Sequence, residues 1–329
     1  MSGAVATACP ACGAPIDPTD EFCEACGAAL KAAPSGGCPG CGAPTNAIDG
    51  DGYCTRCGLR QRRPGDHFEV DVRLAAGVTD RGLRHRQNED AMFLGAREDG
   101  GIVAVVCDGV SASAEPDAAA RAATDAAGRR LMTAIGARSA DLGEATGDAI
   151  NAAQAAVSKV RWAGQSDLPP PACTFVSAIW RGDTITLGWV GDSRAYWLNG
   201  PDSRRLTVDD SWVEEQIQAG GMTEAEAGRD PRAHALTRCL GADAPAGDPR
   251  MMAFTPAGQG RLLLCSDGLW NYLPTAVGLA ELLATQPPGA GSLAIARAFT
   301  DYVIASGGHD NITVVITNES TDSQLRGAT

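Results

Sequence analysis

The chain has 329 residues, 44% of them hydrophobic, 20% charged and 5% aromatic, a globular composition with room for one large domain and an appendage. Forty acidic side chains against 27 basic ones leave a net charge of −13, which argues against a surface built for the phosphate backbone of nucleic acid. The longest apolar runs, at 102–107 and 262–265, fall far short of the ~20 residues a membrane helix needs. The opening Met1-Ser2-Gly3-Ala4-Val5 offers neither a basic nor an apolar leader region, so a cytoplasmic protein without membrane attachment is expected.

Eight of the twelve cysteines lie within the first 57 residues, in four Cys-x-x-Cys pairs each followed by glycine. Each such turn aims two thiolates at one centre, and its glycine lets the backbone curl around them. Two turns together supply the four sulfurs of a tetrahedral zinc site. The spacing predicts one zinc on Cys9, Cys12, Cys23 and Cys26 and a second on Cys38, Cys41, Cys54 and Cys57. Apolar residues between the pairs are too few for a core, so metal must hold these segments folded. Disulfides would need an oxidising compartment, and redox Cys-x-x-Cys motifs normally occur singly. The pattern resembles the tandem zinc-ribbon modules at the N-termini of bacterial multidomain proteins, and a protein-binding or spacer role is expected of it. Residues 1–66 carry five basic and seven acidic side chains, so nucleic acid is not the expected partner there either.

Residues 1–60 are thus read as the ribbons, 61–69 with Pro64 and Gly65 as a linker in which His67 is solvated, 70–318 as one domain, and 319–329 as a polar, disordered tail. Within the large domain, strands are expected at 70–75, 101–107, 174–180, 184–190, 195–198, 261–265 and 311–317, where apolar and β-branched residues cluster. Helices are expected at 115–135, 142–162, 275–285 and 291–306, which are nearly free of proline and carry apolar residues at helical spacing. Long helices set among hairpin-connected strands predict an α+β fold, with stacked antiparallel sheets covered by helices rather than a doubly wound parallel sheet.

Carboxylates stand at the ends of these strands: Asp90 in Asn88-Glu89-Asp90, Asp108 in Val106-Cys107-Asp108-Gly109, Asp192 in Gly191-Asp192-Ser193-Arg194, Asp267 in Ser266-Asp267-Gly268, and Asp310 before Asn311. A single Asp-Gly is ordinarily a turn. Five carboxylates converging at adjacent strand ends instead require cations, and oxygen donors select hard divalent ions.

The order and wording of these motifs, with Thr79-Asp80-Arg81-Gly82, Asp209-Asp210-Ser211-Trp212 and Ala235-Leu236-Thr237-Arg238, resemble the metal-dependent protein serine/threonine phosphatases of type 2C across about residues 70–317. That resemblance implies an α-β-β-α sandwich of two antiparallel sheets flanked by helix pairs. It implies hydrolysis of phosphoserine and phosphothreonine by direct attack of a water bridging two Mg²⁺ or Mn²⁺ ions, on phosphoprotein substrates supplied by a cognate kinase pathway. Carried over by position, Asp108 bridges the two ions, Asp267 and Asp310 complete the first, and the Gly109 carbonyl joins the second. Glu89 and Asp90 act mainly through bound waters, Asp192 matches the residue for a weaker third ion, Asn311 orients Asp310, and 211–221 falls in the flap beside the site. Cys107, Cys173, Cys239 and Cys265 are then inert core thiols. Two positions depart from the family pattern. His85, flanked by Arg84 and Arg86, stands where an arginine usually binds the substrate phosphate, so Arg84 and His85 are the candidate phosphate ligands. Val110 stands where some relatives carry a histidine acid, which leaves leaving-group protonation to a bound water or to His85.

Overall fold

The computed structural model describes residues 37–38, 41–49, 52–61, 63, 65–137, 140–163, 168–223, 226, 230, 232, 235–244, 249–256 and 258–319. Cys9, Cys12, Cys23, Cys26, His234 and the tail from 320 onward therefore lie outside the described residues. The chain divides into two compact units, Met1–Gly65 and Asp66–Thr329.

In the first unit the two Cys-x-x-Cys turns close as their glycines permit. The Gly42 and Gly58 amides donate to the Cys38 and Cys54 carbonyls, and both glycines take positive φ, at 68° and 74°. A single 3-10 turn, Thr45–Ala47, lies between them.

The second unit contains thirteen described strands: β1 His67–Asp71, β2 Ala75–Asp80, β3 Asp90–Ala96, β4 Ile102–Asp108, β5 Ala172–Cys173, β6 Phe175–Arg181, β7 Thr184–Val190, β8 Arg194–Leu198, β9 Arg204–Arg205, β10 Leu240–Gly241, β11 Arg250–Phe254, β12 Arg261–Cys265 and β13 Ile312–Thr317. Its described helices are α1 Pro116–Gly136, α2 Leu142–Val157, α3 Trp212–Gln218, α4 Asp267–Trp270, α5 Ala276–Ala284 and α6 Ser292–Ala305. One sheet runs β1-β2-β13-β12-β8-β9, a second runs β11-β7-β6-β4-β3, and β10 pairs with β5. The pairings are antiparallel throughout.

Period-two alternation sorts the side chains into three layers. In β4, Val103, Val105 and Cys107 pack under the alanine-rich faces of α1 and α2, while Ile102, Ala104 and Val106 face the other sheet. In β12, Leu262 and Leu264 face that same intersheet core, and Leu263 and Cys265 pack against Phe299 and Val303 of α6. The result is the expected α-β-β-α sandwich, in which each sheet buries one face on its partner and the other on helices.

Several local expectations change. The strand read at 70–75 is the turn of a hairpin: Arg73 adopts φ 68°, its amide is held by Asp71 Oδ1 at 2.7 Å, and strands flank it on both sides. His67 is no solvated linker residue, because it opens β1 with Nδ1 2.7 Å from Asp80 Oδ2 and Nε2 3.0 Å from Glu69 Oε1. The hydrogen bond to Asp80 holds its pKa above the ordinary value despite partial burial. Helix α2 ends at Val157, five residues before the sequence pattern does. Strands β3 and β11 were not expected, since Asp-Ala-Met-Phe-Leu-Gly-Ala and Arg-Met-Met-Ala-Phe hold no β-branched residue and sheet pairing alone makes them strands.

Gly128 sits inside α1 where a Cβ would lie 2.2 Å from the Phe93 ring of β3. Gly128→Ala gains about 1 kcal/mol of helix propensity but overpacks this contact at a cost of about 1–3 kcal/mol. Chemical denaturation is expected to show net destabilisation, and a more stable variant would contradict the close packing of α1 on β3.

Candidate active site and thiol cluster

The sheet register brings the acidic residues to one edge of the sandwich. Asp90 opens β3 and Asp108 closes β4 directly opposite it. Carboxylates in that relation stand about 4.5–5.5 Å apart at Cβ and repel. Asp192 lies in the turn between β7 and β8, Asp267 opens α4 after β12, and Asp310 precedes β13. The register of β12 with both β8 and β13 sets these three side by side.

Burial turns that proximity into strong electrostatics. Asp90 and Asp192 are 6% and 7% exposed. Burial, reinforced by the charges of Asp267 and Asp310, pushes Asp90 up to about 7 against the hydrogen bonds that lower it. Burial, then the charges of Asp90, Asp267, Asp192 and Asp310, lifts Asp108 well above the carboxylate range. Burial and the charge of Asp267 do the same to Asp192.

Hydroxyls the sequence reading did not single out fix the cluster. Asp90 Oδ2 accepts from Ser266 Oγ and Thr313 Oγ1, both at 2.7 Å, and Thr313 meets Thr79 Oγ1 at 2.7 Å. The Asp108 amide donates to Thr174 Oγ1 at 3.0 Å, and Ser111 Oγ donates to Glu89 Oε2. Their signal was the placement of Ser266 and Thr313 beside aspartate motifs, though nothing in sequence pairs them with Asp90. Asn311 orients Asp310 through its backbone amide, at 2.8 Å from Oδ1. Its side chain instead accepts from the Glu89 amide at 2.7 Å and donates to the Arg81 and Gln87 carbonyls, tying the Glu89 segment to β13. At Gly109 a Cβ would lie 2.4 Å from the Pro116 carbonyl oxygen, so only glycine lets α1 start so close to the site.

His85 Nε2 lies 3.0 Å from Asp310 Oδ1, and Arg84 and Arg86 are exposed on either side of it. Arg81, next to the cluster in sequence, pairs with Asp66 at 3.3 Å and donates from Nη1 to the His85 carbonyl at 2.5 Å. The His309 amide donates to the Tyr272 hydroxyl, and its ring packs edge-on against Tyr272. Ser211 caps α3 by accepting from the Glu214 amide.

The donor set suits a hard divalent cation: it is oxygen only, it is mutually repulsive, and Asp90 Oδ1 is buried with no hydrogen-bond partner among the described residues. In the first unit Cys38, Cys41, Cys54 and Cys57 form a different donor set, with sulfurs all within 4.8 Å of one another. The Cys38 and Cys57 sulfurs are 3.5 Å apart and those of Cys41 and Cys54 3.6 Å, well beyond a disulfide bond, so neither pair is disulfide-linked. A backbone hydrogen bond from Leu59 lowers the Cys57 pKa, but the surrounding thiols outweigh it and push it up to about 12. Four sulfurs converging on one point suit zinc.

A strand-end carboxylate centre on this sandwich defines a metal-dependent hydrolase class, and comparison with known proteins supplies the family. Residues 81–287 match the protein phosphatase 2C family, and the chain belongs to it. Residues 9–58 match the double zinc ribbon family. The chain is 28% identical over 255 residues to the serine/threonine phosphatase stp of Listeria monocytogenes serotype 4b, covering 76% of this chain and 97% of that protein. It is 33% identical over 165 residues to the stp of Listeria innocua, covering 50% of this chain and 63% of that relative's length. The solved catalytic domain of the serine/threonine protein phosphatase PstP in complex with two manganese ions superposes with a TM-score of 0.58 at 25% identity, over 75% of this chain and 98% of that one. No helix among the described residues is long and apolar enough to cross a membrane.

Asp108→Asn removes a carboxyl group whose ionisation burial and its acidic neighbours oppose. In the metal-free protein at pH 8 it is expected to raise stability by on the order of 1 kcal/mol, roughly 2–4 °C in melting temperature, while abolishing stabilisation by added Mn²⁺. An unchanged or lower melting temperature in chelator would contradict the repulsion.

Proposed function

We propose that this chain is a metal-dependent protein phosphatase that hydrolyses phosphoserine and phosphothreonine esters in proteins. The observation carrying it is the Asp90–Asp108 pair, opposed in register with Asp90 buried and Asp108 half-buried, and surrounded by three further carboxylates, within a chain of the phosphatase 2C family. With two Mn²⁺ or Mg²⁺ ions bound, the centre supplies a water of lowered pKa and counter-charge for the phosphoryl oxygens. Asp108, Asp267, Asp310 and the Gly109 carbonyl would hold the ions, Glu89 and Asp90 would act mainly through their waters, and Asp192 would hold a weaker third ion.

The chain's own residues do the rest by positioning. Ser266 and Thr313 fix the Asp90 carboxylate, and Asn311 locks the Glu89 segment to β13. Arg84 meets the substrate phosphate from the rim with His85 beside it, in place of the family's arginine. Val110 has no proton to give, so the leaving alkoxide is protonated by His85 or by a bound water.

The four thiols of the first unit, and the second set at Cys9, Cys12, Cys23 and Cys26, each hold a structural zinc ion in a ribbon. The exposed Tyr53 and Leu59 beside these thiols support a protein-binding role for the ribbons, which would bring the phosphatase to its substrates. The expected setting is cytoplasmic, opposing a serine/threonine kinase.

Turnover of a phosphothreonine peptide is expected to require Mn²⁺ and to fall by more than about 100-fold in Asp108→Ala and Asp267→Ala, beyond the 10–100-fold typical of outer-shell changes. Unchanged turnover in both variants would overturn the reading.

A further inference from the structure

Arg194 opens β8 two residues after Asp192 and is only 8% exposed. Its guanidinium makes three contacts with the Asp209 carboxylate, from Nε at 3.1 Å to both oxygens and from Nη2 at 2.7 Å to Oδ2. Its Nη1 donates to the Tyr196 hydroxyl at 3.3 Å, and its flat face lies 3.6 Å from the centroid of the Trp270 ring. A buried ion pair contributes little net stability over an apolar replacement, because desolvation offsets the attraction; what it fixes is relative position.

The partners it fixes are informative. The Trp270 Nε1–H donates to the Asp192 carbonyl at 2.9 Å, and Trp270 ends the helix that Asp267 begins. Asp209 lies at the root of the α3 segment. Arg205 continues the ladder, with Nη1 3.7 Å from Asp209 Oδ2 and Nη2 donating to Glu214 Oε2 of α3 at 2.8 Å. The next residue, Asp210, grips the other side of the Asp192 turn: its amide donates to the Gly191 carbonyl at 2.9 Å, and its Oδ2 accepts from the Gly191 amide at 3.1 Å. The Asp192 turn is thus clasped on both flanks by the root of α3, and pinned through its own carbonyl by an indole that carries the Arg194 cation.

We propose that Arg194 and Trp270 are positioning residues that couple the Asp192 carboxylate to the α3 segment, so that cation affinity at Asp192 and the stance of α3 are set together. This rests on the phosphatase reading, in which Asp192 is a cation ligand. The coupling is reciprocal: a cation on Asp192 holds α3 in place, and whatever holds α3 tightens the cation. Neither residue touches substrate or ion.

The test uses the full-length protein, stripped of metal and titrated with Mn²⁺ while free Mn²⁺ is followed by electron paramagnetic resonance. Asp192→Asn identifies the binding step that belongs to Asp192. Trp270→Phe keeps a ring for Arg194 to stack on but loses the donor to the Asp192 carbonyl. It is expected to weaken that same step roughly fivefold to tenfold, about one hydrogen bond, and to leave the other steps as they were. Arg194→Lys, which cannot make the two-pronged contact, is expected to weaken it further and to speed proteolytic cleavage within α3 in a way that Mn²⁺ no longer suppresses. Excess Mn²⁺ should restore turnover in both variants, which a merely misfolded site would not allow. If Asp192→Asn changes no step, or if both variants bind as the parent does, the coupling is overturned. If the parent protein binds no Mn²⁺ at all, the phosphatase reading itself falls.

Discussion

Everything about this molecule's active edge follows from carboxylates that the fold forces together. Strands β3 and β4 cannot pair in their observed register without setting Asp90 against Asp108, and β12, flanked by β8 and β13, adds three more acids to the same edge. Burial and neighbouring charge raise the pKa values of Asp90, Asp108 and Asp192, so a counter-cation is what lets these three ionise together. The intersheet core and the two helical layers supply the stability that this arrangement costs. The hydroxyls of Ser266 and Thr313, the latter backed by Thr79, hold Asp90 by one oxygen and leave the other without a hydrogen-bond partner among the described residues.

Two kinds of donor set coexist in the chain. Around Cys38, Cys41, Cys54 and Cys57 the described residues form almost no core, with Ala43 and two of the cysteines themselves buried, so under the zinc proposal cation binding and folding would be the same event. In the larger unit the core is extensive, so a cation there would relieve repulsion rather than create the fold. Soft sulfur donors in one unit and hard oxygen donors in the other keep the two ion types apart.

The sequence displayed the architecture of the site better than its wiring. Aspartates placed directly after or before apolar β-branched runs were legible, because strand ends are where a short acidic side chain has a function beyond turn-making. The Cys-x-x-Cys-Gly turns were legible because thiol spacing and glycine freedom are local properties. Strands β3 and β11 were not, since Met, Ala and Gly carry no strand preference and only pairing with β4 and β7 makes them extended. The partners of Asn311 and Asp90 lie more than 170 residues away along the chain, beyond any local pattern. His67 looked like a linker residue for the same reason: its partner Asp80 is across a hairpin whose turn the composition disguised.

A divalent cation entering this edge displaces protons from the carboxyl groups that burial holds above their ordinary range, Asp90 and Asp108 foremost. Isothermal calorimetry of Mn²⁺ binding to the metal-free protein near pH 6.5, repeated in buffers of different ionisation enthalpy, measures the protons released per ion. Because Asp90 is pushed up to about 7 and burial lifts Asp108 well above the ordinary carboxylate range, a net release of protons on binding is expected, falling as the pH is raised. Binding with no proton release would contradict the account.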